Sequence, residues 1–288
     1  MTTLRQRLVP YGLLAPGLLW LFIFFVVPMY YMGELSLKTG TLTTGYELTW
    51  AFENYTDAIS DYSTQFIRAF TYAGVATVIC LLLGYPLAYA IAFKAGRWKN
   101  LMLFGVVAPF FTTYLIRTIS WKTILSDSSP VVSVLEFLQL APDGRVLATS
   151  GAVIAGLTYN FLPFMVLPLF ASLERLDRRL LEAGQDLYAS ARQTFFRVTL
   201  PLTMPGIIAG ILLTFIPAAG DYVNATFLGG PDQAMIGNVI QSKYLVVNDY
   251  AEAAALSFTL MAIILVALLF YIKFAGTEAL MGEDEEAR

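Results

Sequence analysis

Six apolar stretches, each long enough to cross a bilayer core of about 30 Å, predict an all-α membrane protein of six transmembrane helices. Two further observations support that class. Hydrophobic residues make up 57% of the 288-residue chain and charged residues only 14%, where an ordinary soluble domain is about a quarter charged. The basic residues also gather on one side of the spans. In water this chain would expose apolar patches far larger than soluble proteins carry, whereas lipid covers the same surface. The mean hydropathy of +0.65 agrees. The net charge of −3 decides little, because the placement of charges matters more than their sum.

The spans run over 10–32, 66–93, 101–121, 149–171, 202–227 and 251–274, within a single transmembrane domain, 1–288. The first follows Arg5 and Arg7, as a signal peptide would. Its apolar part outruns a normal signal core and no small-residue cleavage site ends it, so it reads as a retained helix. With the N-terminus in the cytoplasm, Arg5, Arg7, Lys94, Arg97, Lys99, Arg175, Arg178, Arg179, Arg192, Arg197, Lys273 and Arg288 fall inside. Lys38, Lys122, Arg145 and Lys243 fall outside, while Arg68 and Arg117 lie within or at the edge of spans. That excess orients the chain by the positive-inside rule, and six spans return the C-terminus to the cytoplasm. The outer connection 33–65 carries Glu34, Glu47, Glu53, Asp57 and Asp61 against one lysine. Such an acidic face suits cationic solutes, although a solvated loop obeying the same rule reads equally well. The acidic tail 278–288 reads as a disordered cytoplasmic end.

Absent residue types exclude most chemistry. There is no histidine, and the single cysteine, Cys80, sits inside an apolar run. A disulfide framework within the chain is excluded, and zinc or iron–sulfur ligation has no ligand set. The commonest general base is missing too, together with every Ser-His-Asp or Cys-His arrangement. A search for a phosphate-binding loop finds only Gly33 ahead of Lys38-Thr39, with Leu37 where the second glycine belongs. No cofactor is therefore expected in this chain, and a membrane-embedded enzyme is the weakest reading.

The longest cytoplasmic connection, 172–201, lies between the fourth and fifth spans. Leu173, Leu176, Leu180, Ala183, Gly184, Leu187 and Ala191 recur at the three-and-four spacing of an amphipathic helix. Arg175, Arg178, Arg179, Glu182, Asp186 and Arg192 mostly occupy its other faces, with Arg178 and Glu182 placed to pair across one turn. The stripe becomes small at Ala183-Gly184, where another surface can come close to the backbone. Such a helix can lie on the membrane interface or dock into a partner's groove, and periodicity does not choose between them.

Glu182-Ala183-Gly184, followed at the right distance by Val198-Thr199-Leu200-Pro201, resembles the EAA loop of ATP-binding-cassette (ABC) importer permeases. Gly184 stands for the second alanine of that pattern, and Tyr188 stands for its loop glycine, replacing a turn-permissive residue with a bulky aromatic. Tyr159-Asn160-Phe161-Leu162-Pro163-Phe164, Pro201-Leu202-Thr203-Met204-Pro205-Gly206, Pro217-Ala218-Ala219-Gly220-Asp221-Tyr222-Val223 and Leu228-Gly229-Gly230-Pro231 extend the likeness over nearly the whole chain, toward the spermidine/putrescine permease branch. The resemblance implies a type I, MetI-like permease in a bacterial inner membrane. Its coupling helix, carried by Glu182, Ala183, Gly184, Asp186, Tyr188, Leu200 and Pro201, would seat in a cleft of a separate ATPase. It further implies a second homologous permease, two copies of that ATPase holding ATP and magnesium, an extracytoplasmic solute-binding protein, and no nucleic acid partner.

Polar residues inside spans mark a candidate solute pathway, because ionisable groups there usually face an interior or a cavity. Asp221 follows Pro217 and Gly220, which weaken regular helix, and Tyr222 beside it offers a ring to a cation. The rival role for Asp221 is to pair with Arg117, Lys122 or a neighbouring subunit. Tyr159 and Asn160 fall near the middle of the fourth span, where an amide needs hydrogen-bond partners and interhelical bonding is the first reading. Trp121 and Tyr114 read first as belt aromatics, with a solute contact second, and Arg117 reads as structural because it would repel a cation. Within the same importer class, ferric iron, an organophosphonate or a sugar is the alternative solute. A stand-alone secondary transporter would need inverted repeats, and no convincing duplication is visible.

Overall fold

The computed structural model describes residues 4–139, 144–186 and 188–275. The tail 278–288, Leu187 of the amphipathic stripe and the side chain of Arg178 lie outside the described parts. The chain opens with α1 (Leu4–Leu21), passes a π-helical turn at Phe22–Val26 and continues as α2 (Val27–Ser36). Leu13, Leu18, Trp20 and Phe24 on this run are exposed, an apolar surface suited to lipid. A hairpin follows inside the outer connection: β1 (Lys38–Thr41) pairs antiparallel with β2 (Gly45–Leu48), Lys38 opposite Leu48 and Thr41 opposite Gly45. Then comes α3 (Glu53–Tyr89), with non-helical backbone at Tyr62 and Pro86 inside, prolonged by a π turn at Ala90–Lys94.

Two of the expected spans are not continuous helices. In the stretch 101–121, α4 (Lys99–Val107) tightens into a 3₁₀ turn at Ala108–Phe111. The backbone is then extended at Thr112 and Thr113 before α5 (Tyr114–Ile124) leaves at 95°. Pro109 within the turn removes a backbone donor and favours the break. After α6 (Pro130–Phe137), α7 (Ser150–Glu174) crosses as one helix, capped by the Thr149 hydroxyl accepting from the Ala152 amide. Next come α8 (Arg178–Asp186), α9 (Ala191–Thr194), a π turn at Phe195–Thr199 and α10 (Leu200–Leu202). A 63° bend at Thr203 leads into α11 (Met204–Ala219). The second broken stretch is 202–227: α11 ends at Ala219, Gly220–Tyr222 are non-helical, and α12 (Val223–Leu228) starts anew. The chain finishes with α13 (Ile236–Ser242), a π turn at Lys243–Val247 and α14 (Tyr250–Ala275). Among the described residues, four helical runs are long and apolar enough to cross a membrane alone, and six are if each bent pair counts as one span.

Two compact units emerge from the packing. Of the described residues, one joins those up to Ser63 with Val239–Ala262, and the other joins Thr64–Asn238 with those from Ile263 onward. In the second, α7 is central and nearly all of its faces are apolar, as a helix buried on every side requires. Met165, Val166, Leu169 and Leu173 of α7 pack with Cys80, Ala88 and Ile91 of the α3 run and with Ile207 of α11. In the first unit, the Tyr46 hydroxyl donates to the Asn248 carbonyl at 3.0 Å and accepts from the Tyr250 amide at 3.1 Å, tying β2 to the start of α14.

Candidate functional site

The expected amphipathic helix over 173–191 is broken: Leu173 belongs to the end of α7, Ala191 opens α9, and only Arg178–Asp186 forms α8, with Glu182, Ala183 and Asp186 exposed. Its end explains the loop glycine of the EAA pattern. Tyr188 has φ +58°, the left-handed conformation, and the Ala189 amide returns to the Gly184 carbonyl at 3.0 Å. This is the Schellman closure, whose left-handed residue is usually glycine. Tyr188 keeps the turn despite its side chain and projects it fully into the surroundings, 98% exposed. Gly184 faces α9: a Cβ there would lie 3.3 Å from Thr194 Oγ1. Ser190 then starts α9 with a capping box, exchanging bonds with Gln193.

The loop is joined to the membrane helices at both ends. Lys99 pairs with Glu174 at the end of α7 at 2.5 Å. Leu180 of α8 lines a hollow of about 610 Å³ together with Pro168, Ser172 and Arg175 below it and Pro205 and Gly206 of α11. Leu200 packs against the α3–α7–α11 core while Pro201 is exposed. Tyr85 of α3 receives Phe195 edge-on at 5.6 Å and bonds the Thr203 hydroxyl at 2.9 Å, next to the bend that opens α11.

A second cluster lies where the two broken spans meet α7. Asp221, 8% exposed, sits in the unwound stretch between α11 and α12. Its Oδ2 accepts from the Tyr114 hydroxyl at 2.5 Å, and its Oδ1 accepts from the Asn224 amide at 2.8 Å and from Asn224 Nδ2 at 3.2 Å. Asn224 Nδ2 also donates to the Tyr114 oxygen at 2.6 Å. Asn160 of α7 donates to Asn224 Oδ1 at 3.1 Å and to Thr118 Oγ1 at 3.3 Å. Gly156, one turn earlier on α7, makes room: a Cβ there would lie 2.4 Å from Leu228 and 2.6 Å from Asn224 Oδ1.

This arrangement brings Asp221 and Asn160 into one network through Asn224, and it corrects two expectations. In this conformation Tyr114 and Asn224, not Arg117 or Lys122, bond Asp221. Tyr114 is not a belt aromatic, because its hydroxyl is spent on that carboxylate. Tyr159 stands outside the network and meets Trp121 edge-on at 5.3 Å, while Tyr222 is 42% exposed. Thr118 and Asn224 are not singled out by the sequence, and Tyr114 is singled out there for a different role. Neither Thr118 nor Asn224 carries a local signal, because the bond at the start of α12 is donated by the Asn224 main-chain amide, which any residue there would supply.

In the first unit, Asp57 and Asp61 of the acidic connection line a hollow of about 400 Å³ with Asp249, Glu252, Tyr62 and Lys243. Lys243 pairs with Glu252 at 2.5 Å, and Tyr62 donates to the other Glu252 oxygen at 2.9 Å. Partial burial works against the Lys243 charge, but its bonds to Glu252 and Tyr62 outweigh it and hold its pKa above the usual lysine value.

Broken membrane helices around a polar cluster, joined to an exposed amphipathic helix between two spans, define a multi-pass transport permease. Residues 81–275 match the family described as binding-protein-dependent transport system inner membrane component, and the chain belongs to that family. It is 40% identical over 263 residues, 91% of each chain, to the spermidine/putrescine transport system permease protein PotB of Haemophilus influenzae. It is 39% identical over 254 residues to the protein of the same name from Escherichia coli, covering 88% of this chain and 92% of that one. The inner membrane ABC transporter permease protein YdcU of Escherichia coli is 33% identical, with 91% of each chain covered. Among solved structures, a chain of a bacterial ABC transporter involved in import of the acidic polysaccharide alginate superposes with a TM-score of 0.68 at 21% identity, covering 94% of this chain and 96% of that one. The alginate transporter in complex with an alginate-bound periplasmic protein gives 0.65 at 18% identity, with 96% of each covered. At those identities the structures speak for the fold alone.

Proposed function

We propose that this chain is one of two permease halves of an ABC importer that carries polyamines of the spermidine/putrescine class into a bacterial cell. The observation that carries the solute assignment is the 40% identity, over nine-tenths of each chain, to a spermidine/putrescine permease. The coupling assignment is supported by the exposed, Schellman-closed α8 with its EAA spacing. On this reading both termini are cytoplasmic, a solute-binding protein docks outside, and Glu182, Ala183, Gly184, Asp186 and Tyr188 meet a separate subunit that hydrolyses ATP. The break after Leu200-Pro201 passes that movement into α11. Ammonium groups are drawn by the acidic hollow containing Asp57 and Asp61; separately, Asp221 is the carboxylate of the solute pathway, with Tyr222, Tyr159, Asn160 and Trp121 as its other residues.

The test is uptake of radiolabelled spermidine by proteoliposomes holding this chain with its second permease, ATPase and binding protein. ATP-dependent accumulation, competed by putrescine and not by a sugar, is expected. Accumulation of a sugar or ferric iron with no polyamine uptake would overturn the solute. Replacing Ala183 with a large charged residue should abolish uptake, leave the chain inserted and weaken ATPase co-purification; undiminished uptake would sink the coupling assignment. Asp221→Asn should reduce uptake more than assembly.

A further inference from the structure

Arg117 is a buried cation that the transport reading leaves unused. It is 7% exposed, and its Nε and Nη1 have no hydrogen-bond partner among the described residues. Its guanidinium rests on two aromatic faces, 5.5 Å from the centre of the Phe110 ring and 5.6 Å from that of Tyr114. Ring faces attract a cation weakly compared with the cost of removing it from water. A membrane-embedded arginine with idle donors calls for a carboxylate in some other conformation. Across the spans 66–93, 101–121, 149–171 and 202–227, Asp221 is the one carboxylate in the sequence.

Tyr114 already connects the two. Its hydroxyl holds Asp221 while its ring carries Arg117. On α5, Tyr114 and Arg117 stand three residues apart, about 60° around the helix and about 4.5 Å along it. Both groups lie at breaks. Tyr114 is the first residue beyond the 95° bend, and Asp221 occupies the unwound stretch after α11. A shift of α5 by less than one turn, combined with a rotation of about 60°, would put Arg117 where Tyr114 stands, a step of the size seen when packed elements ratchet.

We propose that Arg117 is the alternate partner of Asp221, taking the carboxylate from Tyr114 and Asn224 in the opposite end state of the transport cycle. There it serves as an internal cation that holds the site when no solute does. A cationic solute then enters only by displacing a guanidinium, which makes Arg117 a specificity-determining residue. The inference rests on the importer reading for the existence of a second end state.

The experiment is a double-mutant cycle on solute-free ATP hydrolysis by the full complex in proteoliposomes. It compares the wild type, Arg117→Gln, Asp221→Asn, the double variant and Arg117→Lys. Each neutralising single substitution should shift the basal rate about tenfold, the double variant should stay within about twofold of either single, and Arg117→Lys should stay within about twofold of the wild type. Single effects that multiply in the double variant would overturn the pairing. If Arg117→Gln fails to assemble, recovery of assembly in the double variant supports the pairing, and failure of both overturns it. A wild-type complex that hydrolyses ATP yet imports no polyamine removes the solute assignment and leaves the cycle readable; one that hydrolyses none removes both.

Discussion

Gly206→Ala is expected to lower the stability of the α7–α11 crossing by about 1–2 kcal/mol. A Cβ on Gly206 would stand 2.4 Å from Ser172 Cβ and 2.8 Å from the Pro168 carbonyl oxygen. Carbon atoms in good contact are about 3.5–4.0 Å apart, so the helices must part by about 1 Å. Neither obstacle is a flexible side-chain end. Overpacking of this kind costs about 1–3 kcal/mol, and the gain from replacing a helical glycine, about 1 kcal/mol, offsets only part of it. Parting the helices also loosens Met165, Leu169 and Leu173 from Ile207, which together form the core of this unit. Gly210→Ala should be milder, near neutral to 1 kcal/mol after the same offset of about 1 kcal/mol. Its first obstacle is the movable Met165 sulfur at 2.7 Å, with main chain only at 3.2 Å. Gly74→Ala meets nothing within 4 Å and should stabilise by about 0.5–1 kcal/mol. Equilibrium unfolding of the purified chain in mixed detergent micelles ranks the three. A Gly206→Ala chain as stable as the wild type, or less harmed than Gly210→Ala, would refute the close-approach argument.

Three further outcomes follow from the polar groups and the loop. Asn224→Ala strips the side-chain bonds that hold Asn224 to Tyr114, Asp221 and Asn160. At roughly 0.6–1 kcal/mol for each interhelical bond it should cost about 2–3 kcal/mol in the same unfolding assay, and a loss below about 0.5 kcal/mol would show the network to be slack. Tyr188→Gly removes a left-handed non-glycine residue and should raise the melting temperature, by the equivalent of about 1 kcal/mol; a lower melting temperature would contradict the Schellman closure. The Lys243–Glu252 bond contributes under about 1 kcal/mol because both side chains reach solvent. Since the folded lysine pKa is raised, that contribution is complete below the ordinary lysine value and is lost as pH climbs through the raised one. Lys243→Met should therefore show the same deficit at pH 6 and pH 9, and a deficit that disappears by pH 9 would count against the pair.

Much of this architecture is legible without coordinates because lipid imposes a simple rule. Any span must supply its own backbone partners over about 20 residues, so helices announce themselves as apolar runs. The charged faces of the nine-residue α8 are legible for the same reason in reverse, as an amphipathic segment among uniformly apolar ones. Asp221 and Asn160 stand out because polar groups at those depths require partners. What stays hidden is the choice of partner. Tyr114 and Asp221 are 107 residues apart, and nothing local to either records the other. The break before α5 is hidden too, since Pro109 inside an apolar run is equally compatible with a kinked continuous helix. Gly206 and Gly210, four residues apart, did carry the small-residue spacing that marks a helix crossing. The Thr-and-Gly-rich run 39–45 likewise held turn residues between β-formers, yet apolar-run reasoning passes over a short polar hairpin.

The two candidate regions are mechanically one device because α11 connects them. It begins at the 63° bend that closes the coupling segment and ends where the backbone unwinds at Gly220–Asp221. Its 16 residues make a rod of about 24 Å. Gly206 and Gly210 clamp the lower half of that rod to α7, and α7 carries Asn160 into the cluster that holds Asp221. A displacement applied at α8 to α10 would thus reach the cluster along two closely packed helices. The far end cannot follow rigidly, because Asp221 is bonded to Tyr114 on a helix set off by its own 95° break. On the proposed coupling role of the loop, movement of the rod would therefore bear on the Tyr114–Asp221 bond and change which groups the carboxylate can reach.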